Sequence, residues 1–135
     1  MIRDSKAMIA GLTPLPDPAT YMFCTVSTAA LTPDMTSLAR AMLREEEGVS
    51  LILSVEDAAE LGLASAAPPM ARITLGVHSA LDGIGLTATV ATVLADHAIP
   101  CNMVAGYHHD HVFVPLDQAD AALQVLRELQ LRGAP

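Results

Sequence analysis

The sequence predicts an α+β protein in which a thin layer of helices packs on a sheet, and three observations predict it. Residues 71–115 follow the order strand, glycine-containing loop, amphipathic helix, strand, tight turn and strand. Hydrophobic residues make up 52% of the 135 residues, so a core is available. Aromatic residues make up 3%, and an aliphatic core suits thin helix-on-sheet layers. The length corresponds to one ordinary domain or to two very small ones.

The chain begins with a predicted short helix over residues 2–11. The prolines of residues 13–19 are expected to end that helix, because proline disrupts a helix interior. Residues 21–26 then predict a strand. Both faces of this strand are largely apolar, which favours a position at the centre of a sheet rather than at its edge.

The next predicted element is a weak helix over residues 34–47, which ends in the run Arg44-Glu45-Glu46-Glu47. Residues 49–53 predict a short strand. Ser54 is placed to cap a helix over residues 55–62, because an acidic residue stands three positions further on, as in a capping box.

The second half has clearer periodicity. Residues 72–78 alternate between apolar and other side chains and predict a half-buried strand. Residues 84–98 predict an amphipathic helix, and residues 103–107 and 111–114 predict two strands joined by a turn. Asp117 can cap a last helix. The side chains expected to face the core are Ile73, Leu75, Val77, Leu86, Val90, Val93, Leu94, Ala119, Ala122, Leu123, Leu126 and Leu129.

The chain is predicted to contain two units, residues 1–67 and 68–135. Residues 64–69, ASAAPP, have the composition of a linker. The halves also echo each other weakly, since SVEDAAELG at 54–62 is similar to PLDQADAAL at 115–123. This similarity favours a duplicated unit, although short apolar segments can match by chance.

Charge excludes some partners. Nucleic-acid binding depends on clustered Lys and Arg, whereas this chain has a net charge of −8 and seven scattered basic residues. An anionic membrane surface is disfavoured for the same reason, and no stretch approaches the roughly 20 apolar residues of a membrane span. Cys24 and Cys101 lie in apolar runs and are expected to be buried free thiols. With no long apolar signal core at the start, this predicts a cytoplasmic protein.

The loop of residues 78–85 is the first candidate site. It joins a strand to a helix, and the start of a helix exposes unpaired N–H groups that suit a carboxylate or another anion. Gly83 and Gly85 allow the backbone to approach a ligand closely. The alternative is that Ser79 or Asp82 caps the helix while the glycines form the turn. A Gly-x-Gly motif is too short to predict a dinucleotide site.

Two further polar clusters have both a functional and a plain interpretation. In residues 107–111, YHHDH, His109 and His111 share a face of a strand and could meet one metal ion, or the segment is a polar hairpin tip. The acidic run of residues 44–47 could receive the cation of an amino acid or pair across a dimer, or it is a solvated helix end. No constellation for nucleophilic catalysis is evident, and this favours a binding module over an enzyme.

The segments VHSALDGIGLTA, CNMVAGYHHDHVFVP and REEEG resemble bacterial proteins made of two tandem ACT-like domains. These are stand-alone relatives of the amino-acid-sensing domains of aspartate kinases, and they also resemble the tandem ACT architecture of the cytosolic arginine sensor. The resemblance covers about residues 5–130 and implies a ferredoxin-like βαββαβ sandwich used twice. It also implies that small ligands, mostly amino acids, bind between paired domains, and that the protein is a homodimer.

By this resemblance, the ligand contacts come from the loop after a first strand, the start of the next helix and a neighbouring strand. Backbone N–H groups of residues 83–86 would take a carboxylate, and Asp82 or the acids of residues 45–47 would take an ammonium group. No metal or other cofactor is expected. The ligand-binding residues implied are His78, Ser79, Leu81, Asp82, Gly83, Ile84, Gly85, Leu86, Asn102, Met103, Val104 and Glu46.

The chain departs from two complete units. Residues 131–135 are too few for a fourth strand after the last helix, and the first half lacks an obvious third strand. We therefore expect the strand at 20–27, or its neighbours, to complete the sheet of the other half, so that the units interlock.

Three functions remain open at this stage. The leading hypothesis is a cytoplasmic, non-enzymatic regulatory protein that binds a small molecule, with an amino acid favoured. The alternative is a ligand-free structural or protein-interaction module that dimerises through its sheets or helices, because the outer face of helix 84–98 is mildly apolar. The third is a metal-dependent enzyme centred on residues 108–111.

Overall fold

The computed structural model describes residues 2–133, and this range contains five α-helices and six β-strands. The helices are α1 (Ser5–Ala10), α2 (Pro33–Leu38), α3 (Val55–Glu60), α4 (Leu86–Asp96) and α5 (Ala119–Arg132). The strands are β1 (Pro14–Val26), β2 (Ala41–Glu45), β3 (Gly48–Ser54), β4 (Met70–Leu75), β5 (Asn102–Ala105) and β6 (Asp110–Pro115). The presence of both helices and strands confirms the predicted α+β class.

The described residues form two compact units. The first unit consists of residues 2–18 and 71–133, and the second unit is Ala19–Met70. Neighbouring hydrogen-bonded strands follow the order β1-β4-β6-β5 in the first unit and β2-β3-β1 in the second. Strand β1 occurs in both orders because its residues 14–18 belong to the first unit and its residues 19–26 to the second. Residues 14–18 thus supply the fourth strand of the first unit.

The core of the first unit lies between its sheet and helices α1, α4 and α5. Ile73, Leu75 and Val77 are buried, which confirms the alternation predicted for this strand. In α4, the buried residues recur every fourth position and form the predicted apolar face. The buried side chains are Met8, Ile9, Leu12, Ala71, Ile73, Leu75, Val77, Leu86, Val90, Leu94, Ile99, Val112, Val114, Ala122, Val125, Leu126 and Leu129.

The second unit has a smaller aliphatic core. Leu51 and Leu53 of β3 are fully buried, and Met35 of α2 and Ala58 of α3 belong to the same cluster. The predicted cap is confirmed, since the Ser54 hydroxyl accepts a hydrogen bond from the Asp57 N–H at 3.1 Å.

The helix predicted over residues 34–47 is wrong beyond Leu38. Residues 41–45 form β2, and Glu45 pairs with Gly48, so that Glu46 and Glu47 form a hairpin turn rather than a helix end. Helix α2 ends where the chain becomes extended at Ala39, and pairing with β3 then overrides the weak helical spacing. Strand β2 is also the third strand of the first half, for which the sequence offered no obvious candidate.

The proline segment at 13–19 follows the end of α1 at Ala10 and forms part of a strand, because β1 begins at Pro14. Prolines occupy every second position from 14 to 18. Successive N–H groups of a strand point to opposite neighbours, so prolines at this spacing remove donors on one side of the strand and leave the other side able to pair.

The start of the last helix also differs from the prediction. Asp117 lies in a 3₁₀ turn, Leu116–Gln118, and helix α5 begins at Ala119 without a side-chain cap. Cys24 is buried as expected, whereas Cys101 is half-buried, and both are free thiols. Between residues 2 and 133 no helix combines the length and the apolar character that a bilayer crossing demands.

Candidate functional site

The loop before α4 and the turn between β5 and β6 enclose a cavity of about 130 Å³ in the first unit. Small residues form most of its wall, so the backbone is accessible there. The lining residues are Met8, Ser79, Ala80, Leu81, Gly83, Gly85, Leu86, Thr87, Ala105, Gly106 and Asp110.

The start of helix α4 forms one side of this cavity. The N-cap is Gly85, with φ of 107°, and no side chain caps the helix. The interpretation in which Ser79 or Asp82 caps it is therefore wrong. The Ser79 hydroxyl instead donates to Asp110 Oδ2 at 3.3 Å. The first N–H groups of α4 therefore receive no side-chain cap and carry the positive end of the helix dipole.

The two glycines of the loop lie close to the segment that contains α1. A Cβ on Gly85 would lie 2.9 Å from the Ser5 Oγ. A Cβ on Gly83 would lie 3.1 Å from the Ala80 carbonyl oxygen and 3.3 Å from the Met8 Sδ. The glycines therefore let the loop lie close to residues 5–8, in addition to exposing backbone in the cavity.

Asp110 supplies the negative charge of the cavity. It is the first residue of β6, pairs in register with Ala105 of β5, and is half-buried. The sequence placed Asp110 in a polar hairpin tip and did not connect it to the loop before α4. The connection arises because β6 lies beside β4, which brings the beginning of β6 to the loop that follows β4.

The predicted binding residues are distributed over several places. Ser79, Leu81, Gly83, Gly85 and Leu86 line the cavity. The rest of the predicted set does not line it: His78, Asp82 and Ile84 belong to the same loop, Asn102, Met103 and Val104 lie in β5, and Glu46 lies in the hairpin turn of the second unit.

Other lining residues were not predicted. Met8 comes from α1, which is distant in sequence and gave no signal for this loop. Ala80 and Thr87 adjoin predicted residues, and Ala105 directly follows the predicted strand segment. Proximity in sequence to the predicted loop and strand could have identified these three residues.

Three histidines lie close together beside this cavity. The ring centroid of His78 is 5.3 Å from that of His108 and 5.8 Å from that of His109. His111 instead makes a 2.8 Å hydrogen bond between its Nδ1 and the Thr74 hydroxyl. Within residues 2–133, no three His, Cys, Asp or Glu side chains are arranged to hold a metal ion.

Burial lowers the pKa of His111 from its ordinary value of 6.5, and the Arg72 guanidinium and His109 lower it further, while Asp110 opposes them. A lowered folded-state pKa means that the unfolded chain binds more protons, so stability rises with pH. We expect the melting temperature to fall as the pH decreases from about 7.5 to about 5, through the range where the unfolded imidazole becomes charged. His111→Gln should show a smaller fall in thermal-melting experiments, and a variant with the wild-type pH dependence would contradict this.

The two thiols are not set up as nucleophiles. Burial raises the pKa of both Cys24 and Cys101 above the ordinary thiol value. A raised pKa keeps the thiol protonated near neutral pH, whereas a catalytic cysteine needs a thiolate.

Comparison with known proteins gives a family match for each half of the sequence. Family models described as "ACT domain" match residues 2–69 and residues 70–128. A Vibrio cholerae protein of unknown function, described as a possible transport protein, is 41% identical, with a TM-score of 0.80 over 93% of this chain and 94% of that chain.

More distant structures show the same fold. A protein from Agrobacterium tumefaciens is 13% identical, with a TM-score of 0.71 and coverage of 87% of both chains. The ligand-free regulatory subunit of aspartate kinase from Thermus thermophilus is 12% identical, with a TM-score of 0.63 over 88% of this chain and 97% of that chain. None of the curated proteins matches the sequence.

Proposed function

The chain belongs to the ACT-domain family, whose models match both of its halves, and from that premise we propose that it is a regulatory protein that binds a small amino acid in the cavity beside α4. ACT domains have the ferredoxin-like fold, and the family, together with the likeness to a kinase regulatory subunit, indicates a regulatory ligand-binding role. The amino acid and the cavity are the specific parts of the proposal.

The observation that carries the proposal is the pairing of opposite charges across one small cavity. The start of α4, which no side chain caps, offers N–H donors at residues 86–87 and the positive end of the helix dipole. Asp110 offers a carboxylate from another wall. A zwitterionic amino acid presents a carboxylate and an ammonium group, so it can satisfy both walls at once.

The arrangement favours Asp110 over Asp82 as the partner of the ammonium group. Asp82 is exposed, does not line the cavity, and already pairs with Arg3, with 3.0 Å between Nε and Oδ1. Among the predicted residues, Ser79, Gly83, Gly85 and Leu86 keep their proposed roles in binding. Ser79 would orient the Asp110 carboxylate through its hydrogen bond.

The volume of the cavity limits the ligand. Pockets for drug-sized molecules span roughly 300–1,000 Å³, whereas this one has about 130 Å³. A small amino acid fits this volume better than a large aromatic one. Regulation by such a ligand involves no catalytic step, and we propose that the protein acts as a cytoplasmic homodimer without a cofactor.

The test is titration calorimetry of the standard amino acids with the wild-type protein and with Asp110→Asn. This substitution removes the charge and keeps the size of the side chain. It should weaken binding of the best ligand about 10–100-fold, because a hydrogen bond to a charged group is lost. Asp120→Asn, at an exposed position in α5, is the matched control and should bind normally. Flat titrations for every amino acid, or unchanged binding by Asp110→Asn, would refute the proposal.

A ligand-free interaction module is the second candidate function. Strand β2 ends the strand order of the second unit, and its Met42 and Leu43 are exposed. An exposed edge strand with apolar side chains can pair with another chain. Sedimentation of the wild-type protein tests this candidate, because a dimer that persists on dilution while no amino acid binds would favour it.

A further inference from the structure

Residues 2–5 pack against the loop that forms the proposed binding site. The Ile2 N–H donates to the His78 carbonyl at 3.1 Å, and the Ala80 N–H donates to the Ile2 carbonyl at 2.9 Å. These bonds form an isolated parallel bridge between Ile2 and Ser79 that belongs to no longer strand. Because Ser79 and Ala80 line the cavity, the bridge holds one of its walls.

Side chains extend the same contact along the loop. The Arg3 guanidinium pairs with Asp82, and Ser5 lies against Gly85 at the start of α4. The Arg3 and Asp82 side chains are 66% and 72% exposed, so this ion pair is weak and screened by salt. The bridge and the weak ion pair are thus the interactions that link residues 2–3 to the loop, while the hydrogen bond from Ser79 to Asp110 links the loop to β6.

Helix α1 provides a fixed anchor next to this contact. Asp4 caps α1 by accepting a hydrogen bond from the Ala7 N–H at 2.9 Å, and Met8 and Ile9 are buried in the core. Residues 2–3 can therefore separate from the loop while α1 stays folded and Met8 remains in the cavity wall. Segments with few buried contacts open at low free-energy cost.

We propose that residues 2–3 are a latch that holds the loop of residues 78–85 closed over the cavity, and that its release sets the rate at which ligand enters and leaves. The second half of this statement rests on the proposed function, whereas the first half concerns the protein alone. Leu81 and Ile84 of the same loop are 67% and 82% exposed. Their exposure fits a loop segment that can move without breaking the core.

Amide hydrogen exchange tests the latch without any ligand. Ile2→Pro removes the N–H that donates to His78, and Ile2→Val keeps it as the matched control. We expect the Ala80 amide to exchange about tenfold faster in Ile2→Pro than in Ile2→Val, because local opening becomes easier. The Asp57 amide in the second unit should be unchanged and reports that the fold is intact. Equal Ala80 exchange in both variants would overturn the latch.

The link to ligand exchange has its own measurement. The probe is the standard amino acid that most raises the melting temperature of the wild-type protein, and the readout is its dissociation rate by NMR line shape. Ile2→Pro should dissociate this probe several-fold faster than Ile2→Val, and equal rates would overturn the gating role. If no amino acid binds, the proposed function fails and the gating role fails with it, while Ala80 exchange still decides the latch.

Discussion

Gly48→Ala is expected to lower the free energy of unfolding by about 2–4 kcal/mol. Gly48 has φ of 150°, a conformation that side chains rarely adopt. A Cβ at this position would lie 2.5 Å from the Val26 carbonyl oxygen, and that oxygen belongs to the backbone of strand β1, which pairs with β3. The clash therefore has to displace a strand rather than a flexible side chain.

Gly62→Ala is the matched control for the conformation alone. Gly62 also has a positive φ, 69°, but nothing lies within 4 Å of the Cβ it would gain. Gly62→Ala should lower the free energy of unfolding by about 1 kcal/mol, the cost of placing a residue with a side chain in a left-handed backbone conformation. Urea unfolding followed by circular dichroism measures both variants. If Gly48→Ala and Gly62→Ala lower the free energy of unfolding by the same amount, the close contact between Gly48 and Val26 does not determine the stability of the β2–β3 hairpin.

The elements that the sequence predicted well are those whose pattern reports burial on one face. β4 alternates between buried and half-buried residues, and α4 buries Leu86, Val90 and Leu94. Such patterns arise because each element has one side on the core, so local sequence and tertiary packing agree. The Ser54 cap was predictable for a similar reason, since capping depends on residues close in sequence.

The elements that were missed depend on partners that are distant in sequence. β2 has exposed residues at most positions and no alternation, so its strand character comes from pairing with β3. The first part of β1 contains prolines that predict a break, yet its neighbour β4 follows about fifty residues later. In both cases the decisive interaction is a strand pairing that a local window cannot contain.

Only one wall of the candidate site, the loop before α4, was predictable from the sequence. The loop before α4 carries glycines at a helix start, which is a local signal. Asp110 and Met8 reach the same cavity through the strand order and through α1, and neither has a local pattern that points to the loop. Glu46 lies in the hairpin turn between β2 and β3 rather than at the predicted helix end, because strand pairing between distant residues replaces that helix.

Leu94→Ala should destabilise the first unit by about 2–5 kcal/mol, the range for buried leucine truncations. Leu94 is 0% exposed and belongs to a cluster that contains no aromatic side chain among its buried members. Such a core depends on leucine, isoleucine and valine methyl groups, and the short α1 and β5 beside it leave little additional area to compensate for a cavity.

The matched control is Leu131→Ala, a leucine-to-alanine change in helix α5 at a position that is 86% exposed. It should stay within about 0.5 kcal/mol of wild type, since exposed truncations remove little buried surface. Equilibrium urea unfolding of both variants compares the two sites. A Leu94→Ala protein as stable as Leu131→Ala would mean that the three helices of the first unit can close over the missing side chain, and that the aliphatic core is more deformable than its close packing indicates.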